Sequence, residues 1–141
     1  MEYNDEFFMK KALELAVTAF NEDEIPVGAG IVRNNEIIGC GYNQKEKLKN
    51  PLKHAELIAI EEACEKVGDW RLNDCQIYVT LEPCKMCMGA IVETRIKRVV
   101  YGIAKNEQTF DNYNDIEYCS GILENECLQI LQTFFKNKRN K

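Results

Sequence analysis

The chain has 141 residues, 45% apolar and 29% charged, with a formal net charge of −5. That length favours one domain over residues 1–141 with a core of its own, and the mix excludes a disordered chain. No run of about 18 uncharged apolar residues occurs, which excludes a membrane-spanning helix, and nothing near the N-terminus reads as a secretory signal, so a cytoplasmic protein is expected.

Residues 5–21 predict an amphipathic helix. Phe8, Ala12, Leu15, Ala16, Ala19 and Phe20 fall at helical spacing, with Asp5 as the cap. Glu24-Ile25-Pro26 breaks it. Residues 27–33 and 36–42 predict two strands joined at Asn34-Asn35, a pair that tolerates positive φ and suits a hairpin. Gly28, Gly30, Gly39 and Gly41 thin these strands, either for close approach of a ligand or as bulges. A helix is expected over 54–67, stopped by Gly68, then a strand over 75–80. A third helix follows over 84–94, preceded by Pro83, then a strand over 97–102 and a weak strand over 116–119. The final helix, 121–136, carries Ile122, Leu123, Cys127, Ile130, Leu131, Phe134 and Phe135 mostly on one side. Alternating strands and helices predict a mixed or partly parallel sheet with helices on both faces.

Charge is unevenly placed. Residues 45–53 carry Lys45, Lys47, Lys49 and Lys53 against Glu46, a net +3. Residues 136–141 carry Lys136, Lys138, Arg139 and Lys141, a net +4, which leaves −12 on the rest. Two basic segments on an acidic body can offer local phosphate contacts, or can be solvated, mobile stretches.

The chain has seven cysteines and a single histidine, His54, in His54-Ala55-Glu56. An odd number of cysteines at irregular spacing argues against a disulfide framework and for metal or catalysis. Thirty residues on comes Pro83-Cys84-Lys85-Met86-Cys87. One imidazole and two thiolates are good Zn²⁺ ligands. Cys84 and Cys87 lie about 60° apart around a helix, so both sulfurs can face one ion. Both segments start helices, whose positive N-terminal dipole favours the thiolate. Three protein ligands leave one tetrahedral position open, the pattern of catalytic zinc. A fourth cysteine can close it, although Cys40, Cys64, Cys75, Cys119 and Cys127 read by default as core. Glu56 sits amid the apolar stripe of its helix, with Ile60, Ala63 and Val67 within about 40° of it. A carboxylate there is either an acceptor that orients a ligand or a proton carrier with a raised pKa.

At these residues the chain resembles the zinc-dependent deaminases of the cytidine and deoxycytidylate deaminase superfamily, whose signature is H-x-E followed by P-C-x-x-C. It is most similar to the bacterial tRNA-specific adenosine deaminase (TadA) family. The stretches that carry this are Pro26-Val27-Gly28-Ala29, Gly41-Tyr42-Asn43, Pro51 before His54-Ala55-Glu56, Trp70-Arg71-Leu72, residues 78–102, Gly121-Ile122-Leu123 and Phe134-Phe135-Lys136. The resemblance spans roughly residues 5–139, with one gap. It implies a three-layer α/β/α sandwich around a five-stranded mixed sheet, one Zn²⁺ per chain on His54, Cys84 and Cys87, and Glu56 as proton shuttle. It implies Asn43 as a base-recognising side chain, where the residues alone suggest a turn residue. It also implies a homodimer that includes the zinc-bearing helices, and Ile58, on the outward face of its helix, fits that.

Two departures stand out. Only about a dozen residues, 103–115, separate the last two strands, and a parallel crossover needs at least about 10–12, so the last strand is barely parallel or differently placed. Lys53 precedes the histidine where the family commonly has a small residue; it can meet an RNA phosphate or point to solvent. The expected reaction is hydrolytic conversion of adenosine to inosine at the wobble position of a tRNA anticodon loop. The RNA backbone would be held by Lys53, Lys136, Lys138 and Arg139. The alternatives are a deaminase of free guanine, cytosine or a nucleoside, and a non-catalytic zinc-stabilised binding module.

Overall fold

The protein is described by a computed structural model covering residues 3–105, 113 and 115–139. In chain order the elements are α1 (Asp5–Asn21), β1 (Gly28–Arg33), β2 (Glu36–Tyr42), α2 (Lys45–Leu48), α3 (Ala55–Val67) and β3 (Cys75–Leu81). There follow α4 (Lys85–Glu93), β4 (Arg98–Ile103), β5 (Glu117–Ser120) and α5 (Glu124–Arg139). One five-stranded sheet runs β2-β1-β3-β4-β5. β1 is antiparallel to both of its neighbours, whereas β3, β4 and β5 are mutually parallel. The mixed sheet is the one expected.

Strand alternation divides the core in two. Ile31, Ile77, Val79 and Val99 enter one cluster with Ala59, Met88 and Ile91 of α3 and α4. Their neighbours Val32, Tyr78 and Val100 enter the other, with Phe8, Met9 and Ala12 of α1 and Cys127 of α5. Consecutive strand residues point to opposite faces, so a run of apolar residues in β3 and β4 requires a helix layer on each side. That gives the three layers: α1 and α5, the sheet, then α3 and α4.

Gly28, Gly39 and Gly41 have a packing reason, and it is not a ligand. A Cβ on Gly39 would lie 2.3 Å from the Ala59 carbonyl oxygen, and one on Gly41 2.3 Å from that of Ala55. On the opposite face a Cβ on Gly28 would meet the Ala12 carbonyl at 2.0 Å. The helices therefore sit backbone-close on β1 and β2. A bulge does occur, between Ile31 and Val32. The hairpin at Asn34 and Asn35 is as expected, both residues having positive φ (49° and 66°).

Four expectations are corrected. Asn4, not Asp5, caps α1, its side chain accepting the Phe7 N–H at 2.9 Å. Asp5 is used elsewhere: Arg98 donates to both of its carboxylate oxygens at 2.8 and 2.7 Å, and the Tyr78 hydroxyl donates at 2.6 Å. The Arg98 hydrogen bonds hold the Asp5 carboxyl below its usual range. β5 is fully parallel to β4, with Arg98 opposite Glu117; most of the 103–115 connection lies outside the described residues. α5 starts at Glu124 and runs to Arg139, so Lys136, Lys138 and Arg139 belong to its last turn. Its earlier start is blocked by Gly121 (φ 86°) and Leu123 (φ 54°), both left-handed. Finally, Ile58 is half-buried at the α3–β2 seam, beside the position a Gly41 side chain would take, and does not stand outward.

Candidate active site

His54 and Cys84 occupy the N-cap positions of α3 and α4, both with extended backbone. A cap residue normally spends its side chain on the first free N–H groups of its helix. Neither does so here, which leaves imidazole and thiol available as ligands. The Ala55 N–H of α3 is met instead by Asn43 Oδ1 at 2.8 Å, while Asn43 Nδ2 donates to the Ile25 carbonyl at 3.1 Å. Asn43 thus ties the end of β2 to the start of the ligand-bearing helix.

The two helix starts meet. His54 Nδ1 lies 3.7 Å from Cys84 Sγ and 3.5 Å from Cys87 Sγ, and all three ligand atoms lie within 4.8 Å of one another. Bonds of about 2.3 Å to sulfur and about 2.0–2.1 Å to nitrogen place tetrahedral neighbours roughly 3.6 Å apart, so both His54–cysteine distances match a shared Zn²⁺. It is the only such ligand cluster among the described residues, and the other five cysteines lie outside it. The three donors are one fewer than a closed structural site uses. The Cys87 thiol donates to Cys84, and with the backbone N–H groups of Cys87 and Met86 and the nearby His54 it holds Cys84 down to about 4, against the effect of burial. The same bond, together with burial, pushes Cys87 up. Such a partly deprotonated, soft donor pair beside an imidazole is what a thiolate-binding divalent ion takes over.

Glu56 lies in the first turn of α3, two residues from His54, and is 4% exposed. Burial raises its carboxyl pKa, opposed in part by its own backbone N–H. Together with His54 and Cys84 it lines a cleft of about 830 Å³ that opens to solvent. A buried carboxyl with a raised pKa that still faces a cleft can carry a proton to or from a bound molecule.

The basic residues separate in space. Lys138 lines the cleft and pairs with Asp23 at 2.7 Å. Lys45, Lys47 and Lys105 line it as well. Lys53 does not; it lies 3.7 Å from Glu61. Lys136 and Arg139 are exposed on α5 away from the lining, and Lys141 lies outside the described residues. Asn43 does line the cleft, with one amide hydrogen beyond its bond to Ile25.

Two buried acids escaped sequence reasoning. Glu24 is 2% exposed, and its oxygens accept the N–H groups of Glu46 and Lys47 at 3.0 and 2.7 Å. Glu82 is buried, with Oε1 accepting the Lys105 N–H at 3.0 Å. Both line the cleft. The available signal was weak: each is an acid beside a proline or an apolar pair, and its partners lie more than twenty residues away. α2, four residues long, was missed for the same reason.

A family model described as "Cytidine and deoxycytidylate deaminase zinc-binding region" matches residues 2–103. A tRNA-specific adenosine deaminase of Bacillus subtilis is 39% identical over 150 residues, covering 97% of this chain and 92% of that one. A solved structure from studies of A-to-I editing by tRNA deaminases at the wobble position is 35% identical. It aligns with a TM-score of 0.80 over 89% of this chain and 99% of that chain. The structure of a guanine deaminase from Bacillus subtilis is 41% identical, with a TM-score of 0.69 over 72% of this chain and 66% of that one.

Proposed function

The chain belongs to the cytidine and deoxycytidylate deaminase zinc-binding family, and on that premise we propose that it converts adenosine to inosine at the wobble position of a tRNA anticodon loop. The observation that carries this reading is the pairing of a buried, cleft-lining Glu56 with the three-donor cluster beneath a rim that bears Lys45, Lys47, Lys105 and Lys138. His54, Cys84 and Cys87 would hold the single zinc ion, which when bound would supply the Lewis acidity that makes water a nucleophile near neutral pH.

Glu56 takes a proton from the attacking water and passes it to the ring nitrogen beside the amine-bearing carbon. It then collects the proton of the new hydroxyl and gives it to the departing amine, so ammonia leaves and a carbonyl remains. Asn43 presents its remaining N–H to the base. The base must leave its stack to reach Glu56, which suits an unpaired loop nucleotide. Of the expected set Lys53, Lys136, Lys138 and Arg139, Lys138 lines the cleft and is the one that meets the RNA backbone. The chain acts as one deaminase domain over residues 1–141, in the cytoplasm, and as a homodimer through the zinc-bearing helices. Among the described residues no helix is long and apolar enough to cross a membrane.

The likeness to a guanine deaminase favours a second reading, a free-base deaminase. Incubation of the zinc-loaded protein with free bases, nucleosides and an anticodon stem-loop separates the two. Inosine formed in the stem-loop alone supports the RNA reading. Rapid turnover of free guanine, with none of the stem-loop, replaces it.

A further inference from the structure

The segment at residues 45–48 is held in place by almost nothing of its own. None of the four residues of α2 is buried, and its N-cap residue Gln44 makes no side-chain bond to it. The N–H groups of Glu46 and Lys47 are the ones a cap would satisfy. They are satisfied from 22 and 23 residues away by the two oxygens of Glu24. A carboxylate at 2% exposure is costly to bury unless fully bonded, so this pair of bonds fixes both partners. α2 brings Lys45, Glu46 and Lys47 to the cleft, which they line together with Glu24 itself. Lys47 Nζ lies 3.2 Å from Glu22 and its side chain is 52% exposed. An ion pair so open to water is weak, and a phosphate can displace Glu22 from it.

We propose that Glu24 is a positioning residue for substrate docking: it caps α2 from a distance and so aims Lys45 and Lys47 at the backbone phosphates beside the reacting nucleotide. From the 45–53 basic segment, these two lysines rather than Lys49 or Lys53 make the phosphate contacts. The proposal rests on RNA being the substrate.

The test uses full-length, zinc-loaded protein and an anticodon stem-loop. Variants are Glu24→Ala, Glu24→Gln, Lys45→Ala with Lys47→Ala, and that pair combined with Glu24→Gln. KM is expected to rise at least about tenfold in Glu24→Ala while kcat changes by less than about twofold and zinc per chain is kept, the signature of lost docking without lost chemistry. Amide exchange at Glu46 and Lys47 quickens at least about tenfold, because their acceptor is gone. In the double-lysine background, Glu24→Gln adds less than about twofold to KM, since coupled residues are not additive. A fall in kcat at constant KM overturns the proposal, as does unchanged exchange or an undiminished Glu24→Gln effect without the lysines. Should Glu24→Ala not fold, the Glu24→Gln and lysine arms decide. If the wild type deaminates a free base and not the stem-loop, the docking role falls with the RNA reading. The exchange arm still reports whether Glu24 holds α2, so the two failures are distinguishable.

Discussion

The floor and the rim of the cleft are built by different means. The floor consists of the first turns of α3 and α4: α3 touches the sheet at backbone distance through Gly39 and Gly41, and Met88 and Ile91 of α4 join Ala59 in the apolar cluster against the same face. The rim consists of α2 and the end of α5, tied to the α1–β1 junction by Glu22, Asp23 and Glu24. Close packing fixes atoms to within tenths of an ångström, which a three-donor metal site needs. Exposed ion pairs are weak and exchangeable, which would suit the proposed exchange of carboxylates for phosphates. The metal-type donors and Glu56 therefore sit on the closely packed part, and the cleft's lysines on the exposed part.

The largest effect is expected on the floor. Glu56→Ala should abolish turnover, a loss of about 10²–10⁴-fold or more, while zinc content per chain stays unchanged. Zinc lost with activity would show that Glu56 holds the cluster together and does not carry the proton. A smaller effect tests the rigidity of that floor. Gly41→Ala forces a methyl to within 2.3 Å of the Ala55 carbonyl, next to His54. It should cost about 1–3 kcal/mol of stability, seen as a lower Tm, and weaken zinc binding in a chelator competition. Normal zinc affinity in a destabilised variant would break the link between sheet contact and ligand geometry. The smallest effect belongs to the rim. Lys138→Ala should flatten the dependence of log affinity for the stem-loop on log salt by about 0.7–0.9, one phosphate contact, whereas Lys136→Ala should leave the slope alone. A wild-type slope in both variants would make the whole end of α5 a bystander.

Much of the floor was legible in the chain itself. His54, Glu56, Cys84 and Cys87 lie within two short segments, and helical geometry alone brings each segment's residues to one face. The periodicity around Glu56 placed it correctly in the buried stripe, and the Asn34-Asn35 turn set the hairpin. The basic segments were visible as charge, but not which of their members face the cleft. Lys53 was singled out for its place before His54, yet it pairs with Glu61; Lys45 and Lys47 were passed over, yet they line the cleft.

Local order along the chain was thus enough to mark the His54, Cys84 and Cys87 donors, the buried place of Glu56 and the alternation of strands and helices, because each segment is read from spacings of a few residues. Only the folded chain decided that Asn43 and Glu24 serve as caps for helices they do not belong to, that Asp5 answers to Arg98, and that β5 joins its neighbour in parallel. Those outcomes depend on contacts between residues far apart in sequence, where no periodic pattern marks the partner and burial alone makes a hydrogen bond obligatory.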